Sequence, residues 1–303
     1  MIFRFNALAT RALQERAFRW HVGEKGETVL RDLTWEFAEP DQYPELVAKQ
    51  KPGMLAPKAE KEFHAAVSSG DPSEMLRVAG QQIKYGIPAK AIAGLLLLET
   101  DLERGMSLLR DAVGAGGDVG KDHFIRKYLP EAGLSVMIAA GLVVRLPLQD
   151  NSIVLLLAEL YQALDLQHEA LNLLAATEQT THIRLSKTEI LYDAERFEDV
   201  LTTTAQVYND DDFTALLLAY RGRALVELGR YDEAVAVLAR VLEYPNRSAQ
   251  IKAIALVGRG MVNQERGEFI LAKNDFTQAL IEMPEDDEAK QHIQELIHGT
   301  GAG

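Results

Sequence analysis

The chain has 303 residues, of which 47% are apolar, 25% charged and 7% aromatic. That balance fits a folded globular protein and excludes disorder, collagen-like repetition and a disulfide scaffold. There is no cysteine, which removes thiol nucleophiles, thiolate metal ligation and internal disulfides. The formal charge of -13, from 32 Lys and Arg against 45 Asp and Glu, argues against nucleic acid as a partner, because phosphate binding needs a basic surface.

Residues 1–66 hold 10 basic and 10 acidic side chains, so the negative balance belongs wholly to residues 67–303. Aromatics run the other way: Phe3, Phe5, Phe18, Trp20, Trp35, Phe37 and Tyr43 crowd the start of the chain. Residues 1–66 are therefore read as an aromatic-rich cap or accessory region. Within it Phe18, Trp20 and Val22 alternate with Arg19 and His21, Gly23-Glu24-Lys25-Gly26 follows as a turn, and Val29, Leu33, Trp35 and Phe37 share one parity. Period-two alternation around a glycine turn predicts a β-hairpin. The stretch rich in Pro and Lys from Tyr43 to Lys61 reads as a linker or an irregular connection. Residues 1–23 lack the unbroken apolar segment and small-residue cleavage site of a secretory signal. The longest apolar run, Leu134 to Val144, is shorter than the ~20 residues a membrane-spanning helix needs. No membrane span and a cytoplasmic location are the expectations; the oligomeric state is left open.

From Asp71 onward the pattern reads as successive helices with no strand. Asp71-Pro72-Ser73-Glu74 places an N-cap, a first-turn proline and a capping-box glutamate in order, and Thr100-Asp101-Leu102-Glu103 repeats the box. Gly86, Gly114 and Gly133 fall where helices would end, and Pro130 and Pro147 mark further boundaries. Residues 67–150 are accordingly a divergent helical region.

Several chemical motifs fail on context. Ala115-Gly116-Gly117-Asp118-Val119-Gly120-Lys121 has the loose spacing of a phosphate loop, but no strand precedes it and Asp122 stands where Ser or Thr would hold magnesium. The seven histidines show no i, i+4 pair and read as surface residues. Asn209-Asp210-Asp211-Asp212 lacks the glycine and terminal glutamate of a calcium loop and is better explained as a helix cap before Phe213. No metal, no cofactor and no catalytic set is expected, and the chain is read as not an enzyme.

Self-comparison of residues 151–303 is more informative. Leu218, Gly222, Leu225, Gly229, Tyr231, Ala234, Leu238, Val241 and Pro245 align with Leu256, Gly260, Asn263, Gly267, Phe269, Ala272, Phe276, Ala279 and Pro284, at an offset of 38 except at the prolines. Each set describes a helix, a turn at Gly229 or Gly267, and a second helix, with small residues where the two backbones cross. Glu195, Phe197 and Val200 stand 34 residues before Gly229, Tyr231 and Ala234, which defines a degenerate unit over 181–212. Ala158, Tyr161 and Ala170 mark another over 151–180.

These small and aromatic positions resemble the tetratricopeptide repeat (TPR) family, clearest over residues 215–286 and degenerate over 151–214. The resemblance implies an all-α fold, a TPR-like α-solenoid in which helix-turn-helix units stack as a right-handed superhelix, closed by a C-terminal capping helix. It also implies that first-helix side chains line a concave face, here Glu159 and Gln162, Glu189 and Tyr192, Arg223 and Glu227, Met261 and Gln264. Any one of them could instead be an ordinary solvated position. The Lys and Asn set with which some family members hold a chaperone's C-terminal carboxylate is absent. The expected function is a non-enzymatic adaptor or scaffold that binds a protein or peptide on that face. The alternatives are a regulator that senses a peptide or small ligand in the groove and, less favoured, an enzyme with its site in residues 1–150.

Overall fold

The computed structural model describes residues 37–114, 118–139, 142–244, 247–282 and 287–299, with the backbone of two strands at 18–22 and 28–32. Strands β1 (Phe18–Val22) and β2 (Thr28–Asp32) pair as a two-stranded sheet, where alternation predicts one. The Gly23 to Gly26 turn, Leu33 and Trp35 lie outside the described residues, as do Ala115 to Gly117, Pro245 and Pro284. Asp32–Glu178 and Gln179–Gly303 fall in two different compact units.

The first unit corrects the reading of 43–61 as a linker. Helix α1 (Tyr43–Lys49) begins there with Pro44 in its first turn, where a missing N–H is harmless, and it buries Tyr43 and Val47 on one face. Helices α2 (Lys58–Ser68) and α3 (Pro72–Gly80) follow, joined at Gly70, whose φ of 71° suits glycine. Asp71 caps α3 by accepting from the Ser73 N–H at 2.9 Å, but Glu74 turns outward to Arg77 instead of completing a capping box. Helices α4 (Gly86–Leu97) and α5 (Leu102–Val113) cross where Gly94 meets Gly105; a Cβ on Gly105 would stand 2.9 Å from the Gly94 carbonyl oxygen. The α5 cap is Asp101, one residue later than the expected Thr100. Helix α6 (His123–Tyr128) completes an aromatic core in which Phe63 stacks on Tyr85 at 4.6 Å and meets Phe124 edge-on at 4.6 Å. His64 is no surface histidine: it is buried, with Nε2 2.9 Å from the Val47 oxygen and 2.8 Å from that of Gln50.

The absence of strands expected after Asp71 is overturned at β3 (Gly133–Ala139) and β4 (Leu142–Pro147), an antiparallel hairpin in register from Gly133 opposite Pro147 to Met137 opposite Val143. Leu134, Val136 and Ile138 are buried while Ser135 and Met137 lie on the other face, a period of two that a helix could not satisfy. Gly133 marks a close approach and not a helix end, since a Cβ there would sit 2.6 Å from that of Phe37. Helix α7 (Asp150–Ala163) packs on β3, and α8 (Gln167–Ala175) follows it.

In the second unit α9 (Thr181–Asp193) pairs with α10 (Phe197–Thr203), α11 (Asp212–Glu227) with α12 (Tyr231–Leu242), and α13 (Ala249–Glu265) with α14 (Phe269–Glu282), while α15 (Asp287–Gly299) packs on α14. First helices neighbour first helices, α9 against α11 and α11 against α13. The four hairpins beginning at α7, α9, α11 and α13 turn identically. Backbone N–H groups of Leu166, Arg196, Arg230 and Glu268 donate to the carbonyls of Tyr161, Leu191, Leu225 and Asn263, each five residues back, the C-terminal bond of a Schellman turn. The residue before each donor is left-handed: Asp165 at 58°, Glu195 at 57°, Gly229 at 69° and Gly267 at 74°.

Inside the last two hairpins a bulky side chain fills the hollow left by a glycine. A Cβ on Gly222 would lie 2.5 Å from Leu238, and one on Gly260 2.5 Å from Phe276; Leu238, Phe276, Ala234 and Ala272 are fully buried. Gly260→Ala should therefore destabilise the chain by about 1–3 kcal/mol, the usual range for overpacking, read as a lower midpoint in urea. Glu195→Gly has the opposite sign. A left-handed non-glycine residue carries roughly 1–2 kcal/mol of strain, partly offset by the greater unfolded freedom of glycine, so a gain of about 1 kcal/mol is expected in the same titration.

Candidate functional site

Residues on α9 and α11 come together in the second unit. Their spacing puts Glu189 and Tyr192 on one stripe of α9, and Arg223 and Glu227 on the facing stripe of α11. Tyr192 lies under the Arg223 guanidinium, whose central carbon is 4.6 Å from the ring centroid, and its hydroxyl donates to Glu227 at 3.4 Å. Tyr220 joins them, donating to Glu189 at 3.1 Å and meeting the Tyr192 ring edge-on at 5.6 Å. Phe197, the first residue of α10, also meets the Tyr192 ring edge-on at 5.4 Å. Gly258 of α13 leaves room beside the Arg223 stem, 3.5 Å from the arginine Cγ to where its own Cβ would be.

The electrostatics follow from this packing. Burial pushes the Tyr192 and Tyr220 hydroxyls above the ordinary phenol range, so both remain donors. Burial also raises the Asp193 carboxyl, with the Arg223 charge opposing it. Arg223 Nε is buried without a hydrogen-bond partner, and among the described residues the guanidinium makes no ion pair. A cation held over an aromatic ring without an ion pair is prepared for a planar anion or another aromatic ring.

The other anticipated positions have different neighbours. Met261 packs half-buried against the cluster of Leu256, Ala272 and Phe276, and Gln264 is half-buried near the end of α13. Glu159 and Gln162 belong to α7 in the first unit, where Glu159 accepts the Met137 N–H at 3.0 Å beside the register shift of β3. Tyr220 is the residue sequence reasoning missed; its counterpart in the next repeat is Gly258, so the alignment offers no aromatic there.

The weak motifs resolve into local structure. The Gly120 N–H is taken by Asp118 at 2.9 Å and that of Val119 by Asp150 at 2.8 Å, leaving the would-be phosphate loop with carboxylates in the phosphate's place. Asp211 caps α11 by accepting from Thr214 at 2.7 Å, and Asp212 pairs with Arg247 at 3.3 Å. Among the described residues no group of three or more His, Asp or Glu is arranged to hold a metal, and no helix is long and apolar enough to cross a membrane.

Burial drives the Glu159 carboxyl from 4.5 up to about 7, against the weaker pull of the Met137 N–H. Between those values the folded chain keeps a proton that the unfolded chain releases, so this group's contribution to stability falls as pH rises. Glu159→Gln removes that dependence. Its stability relative to the parent chain should improve between pH 5 and 7 by an amount on the order of 1 kcal/mol or more, measured by denaturant titration at each pH.

Comparison with known proteins places this architecture. A family model described as T7SS, ESX-1 secretion system protein EccA1, N-terminal domain matches residues 119–296. Among solved structures, the crystal structure of the N-terminal domain of EccA1 ATPase from the ESX-1 secretion system of Mycobacterium tuberculosis is similar. Its TM-score is 0.54 at 14% identity, over 86% of this chain and 90% of that one, a likeness of fold alone. No curated protein sequence matches. Since the family match takes in more than half of the residues, the chain belongs to the EccA1 N-terminal domain family.

Proposed function

We propose that this chain is a protein-interaction module of a secretion apparatus, not itself catalytic, which holds a protein partner on the face formed by α9 and α11. The observation that carries the reading is Arg223: it is fixed on Tyr192 at 4.6 Å, its Nε has no partner, and Glu189 and Glu227 are already occupied by tyrosine hydroxyls. Preorganisation matters because ordering a long side chain opposes binding by about 0.5–1.5 kcal/mol, and here the fold has already done it. Aromatic and arginine side chains packed in one patch are the composition of interaction hot spots.

The hairpins are read as TPR-like units, on the strength of the shared turn bond and of Gly222 and Gly260 at equivalent crossings. The solved relative is named as the N-terminal domain of an ATPase, and this chain is read as the corresponding interaction part of such a protein. Support for a non-catalytic role comes from Val119 and Gly120, whose N–H groups are bonded to the chain's own carboxylates.

The test is capture of partner proteins from the native source, followed by hydrogen exchange on the reconstituted pair. Arg223→Glu with Tyr192→Ala should weaken capture by about tenfold or more, as expected when a hot spot worth ~1.4 kcal/mol or more is lost. Partner binding should protect Thr181–Asp193 and Asp212–Glu227 in the parent chain. Full capture by the double variant, or protection confined to the first unit, would refute the assignment.

A further inference from the structure

The second unit carries a cavity of about 320 Å³ that the α9 and α11 face does not use. It lies over the loop joining α10 to α11 and is lined by Thr204, Val207, Tyr208, Leu218, Arg221 and Val237, with Gln206 and Arg240 completing the wall. Leu218 and Arg221 are one turn apart on α11, as are Val237 and Arg240 on α12. The lining is thus two-sided in chemistry: aliphatic groups from each helix, and one guanidinium from each.

Among the described residues neither arginine forms an ion pair. Arg221 spends Nη1 on the Leu201 carbonyl at 2.7 Å and the Thr204 hydroxyl at 3.3 Å, and among the described residues forms no ion pair. Arg240 is exposed, its backbone carbonyl accepts from Asn209 at 2.6 Å, and among the described residues its guanidinium forms no ion pair. Glu233 is close enough to feel Arg221, but both its oxygens are held by Arg230 at 2.8 Å. In a chain of net charge -13, two guanidinium groups without an ion pair line one hollow.

The wall is also fixed in advance. Arg184 clamps the loop by donating to the Thr203 carbonyl at 2.7 Å and to that of Ala205 at 3.0 Å, and Gln206 is held left-handed at a φ of 57°. Strain in a non-glycine residue persists only where the surroundings impose it, and such residues concentrate at binding sites. Tyr208, at 70% exposure, stands at the cavity with its ring in solvent.

We infer that this cavity is a second binding site, for an acidic segment of a polypeptide in which an aliphatic side chain is flanked by carboxylates. The aliphatic side chain fills the hollow between Val207, Leu218 and Val237, one carboxylate meets Arg221 inside and another meets Arg240 at the surface. A small monocarboxylate would satisfy the inner arginine alone. Two guanidinium groups, one half-buried and one exposed, select a ligand with two anionic groups separated by an apolar one.

The experiment uses the full chain and a fluorescein-labelled heptapeptide with glutamate-leucine-glutamate at its centre, followed by fluorescence anisotropy at low and moderate salt. Saturable binding that weakens with salt is expected. The peptide with both glutamates replaced by glutamine should bind about tenfold more weakly or worse, and Arg240→Glu should cause a similar loss. Arg240→Lys should retain part of the affinity. Val237→Trp, which fills the hollow, should abolish binding while circular dichroism stays unchanged. Arg223→Glu, on the other face, should leave the peptide's affinity as it was, so failure here and failure of the α9 and α11 reading are separable. The inference is overturned if no saturable binding occurs, if the glutamine peptide binds equally, if Arg240→Glu changes nothing, or if octanoate displaces the peptide at equal concentration.

Discussion

The second unit depends on how closely two helices of a hairpin approach. At Gly222 and Gly260 a side chain has been removed so that Leu238 and Phe276 can occupy its space, and both are wholly sealed from solvent. Dispersion attraction is weak per atom pair and falls off steeply with separation, so bringing backbones together across a glycine multiplies contacts that a wider crossing would forfeit. The partner alanines, Ala234 and Ala272, let the second helix settle at that distance. The close crossing at Gly222 fixes α12 on one side of α11, while α9 packs on α11 with Tyr192 beneath Arg223.

The same crossings are what made the repeats legible in sequence. Gly229 and Gly267 are visible because the left-handed turn residue is glycine there. In the two earlier hairpins Asp165 and Glu195 adopt the same angle with ordinary side chains, and the bond that closes the turn runs between backbone groups. The turn is thus formed without the glycine that signals it in the later hairpins, which explains why the units at 151–180 and 181–212 read as degenerate although their turns have the same bond.

Other features were hidden for physical reasons. The β3 and β4 hairpin lies in an apolar run whose alternation is blurred by Ala139, Ala140 and Leu142, and short apolar runs do not separate strand from buried helix by period alone. Helix α1 is set by distant partners: Tyr43 and Val47 are buried, and the Tyr43 hydroxyl donates to Gly133 at 2.7 Å. In the candidate site Tyr192, Arg223, Glu189 and Glu227 were legible through their place on first helices, whereas Tyr220 and the cavity over residues 204–208 were not. A cavity depends on what several segments fail to fill, and no local pattern records that.

The Tyr43 hydrogen bond has a kinetic side. It ties together residues 90 apart in sequence, while the hairpins of the second unit close over loops of a few residues. Chain entropy makes distant closures slow and nearby ones fast. During synthesis at about 5–20 residues per second, the segment around Tyr43 must wait several seconds for Gly133 to emerge from the ribosome. For that interval α1 can dock on α2, which follows it closely in the chain, but the Tyr43 hydroxyl lacks its acceptor, so that end of the first unit closes only when its strand arrives.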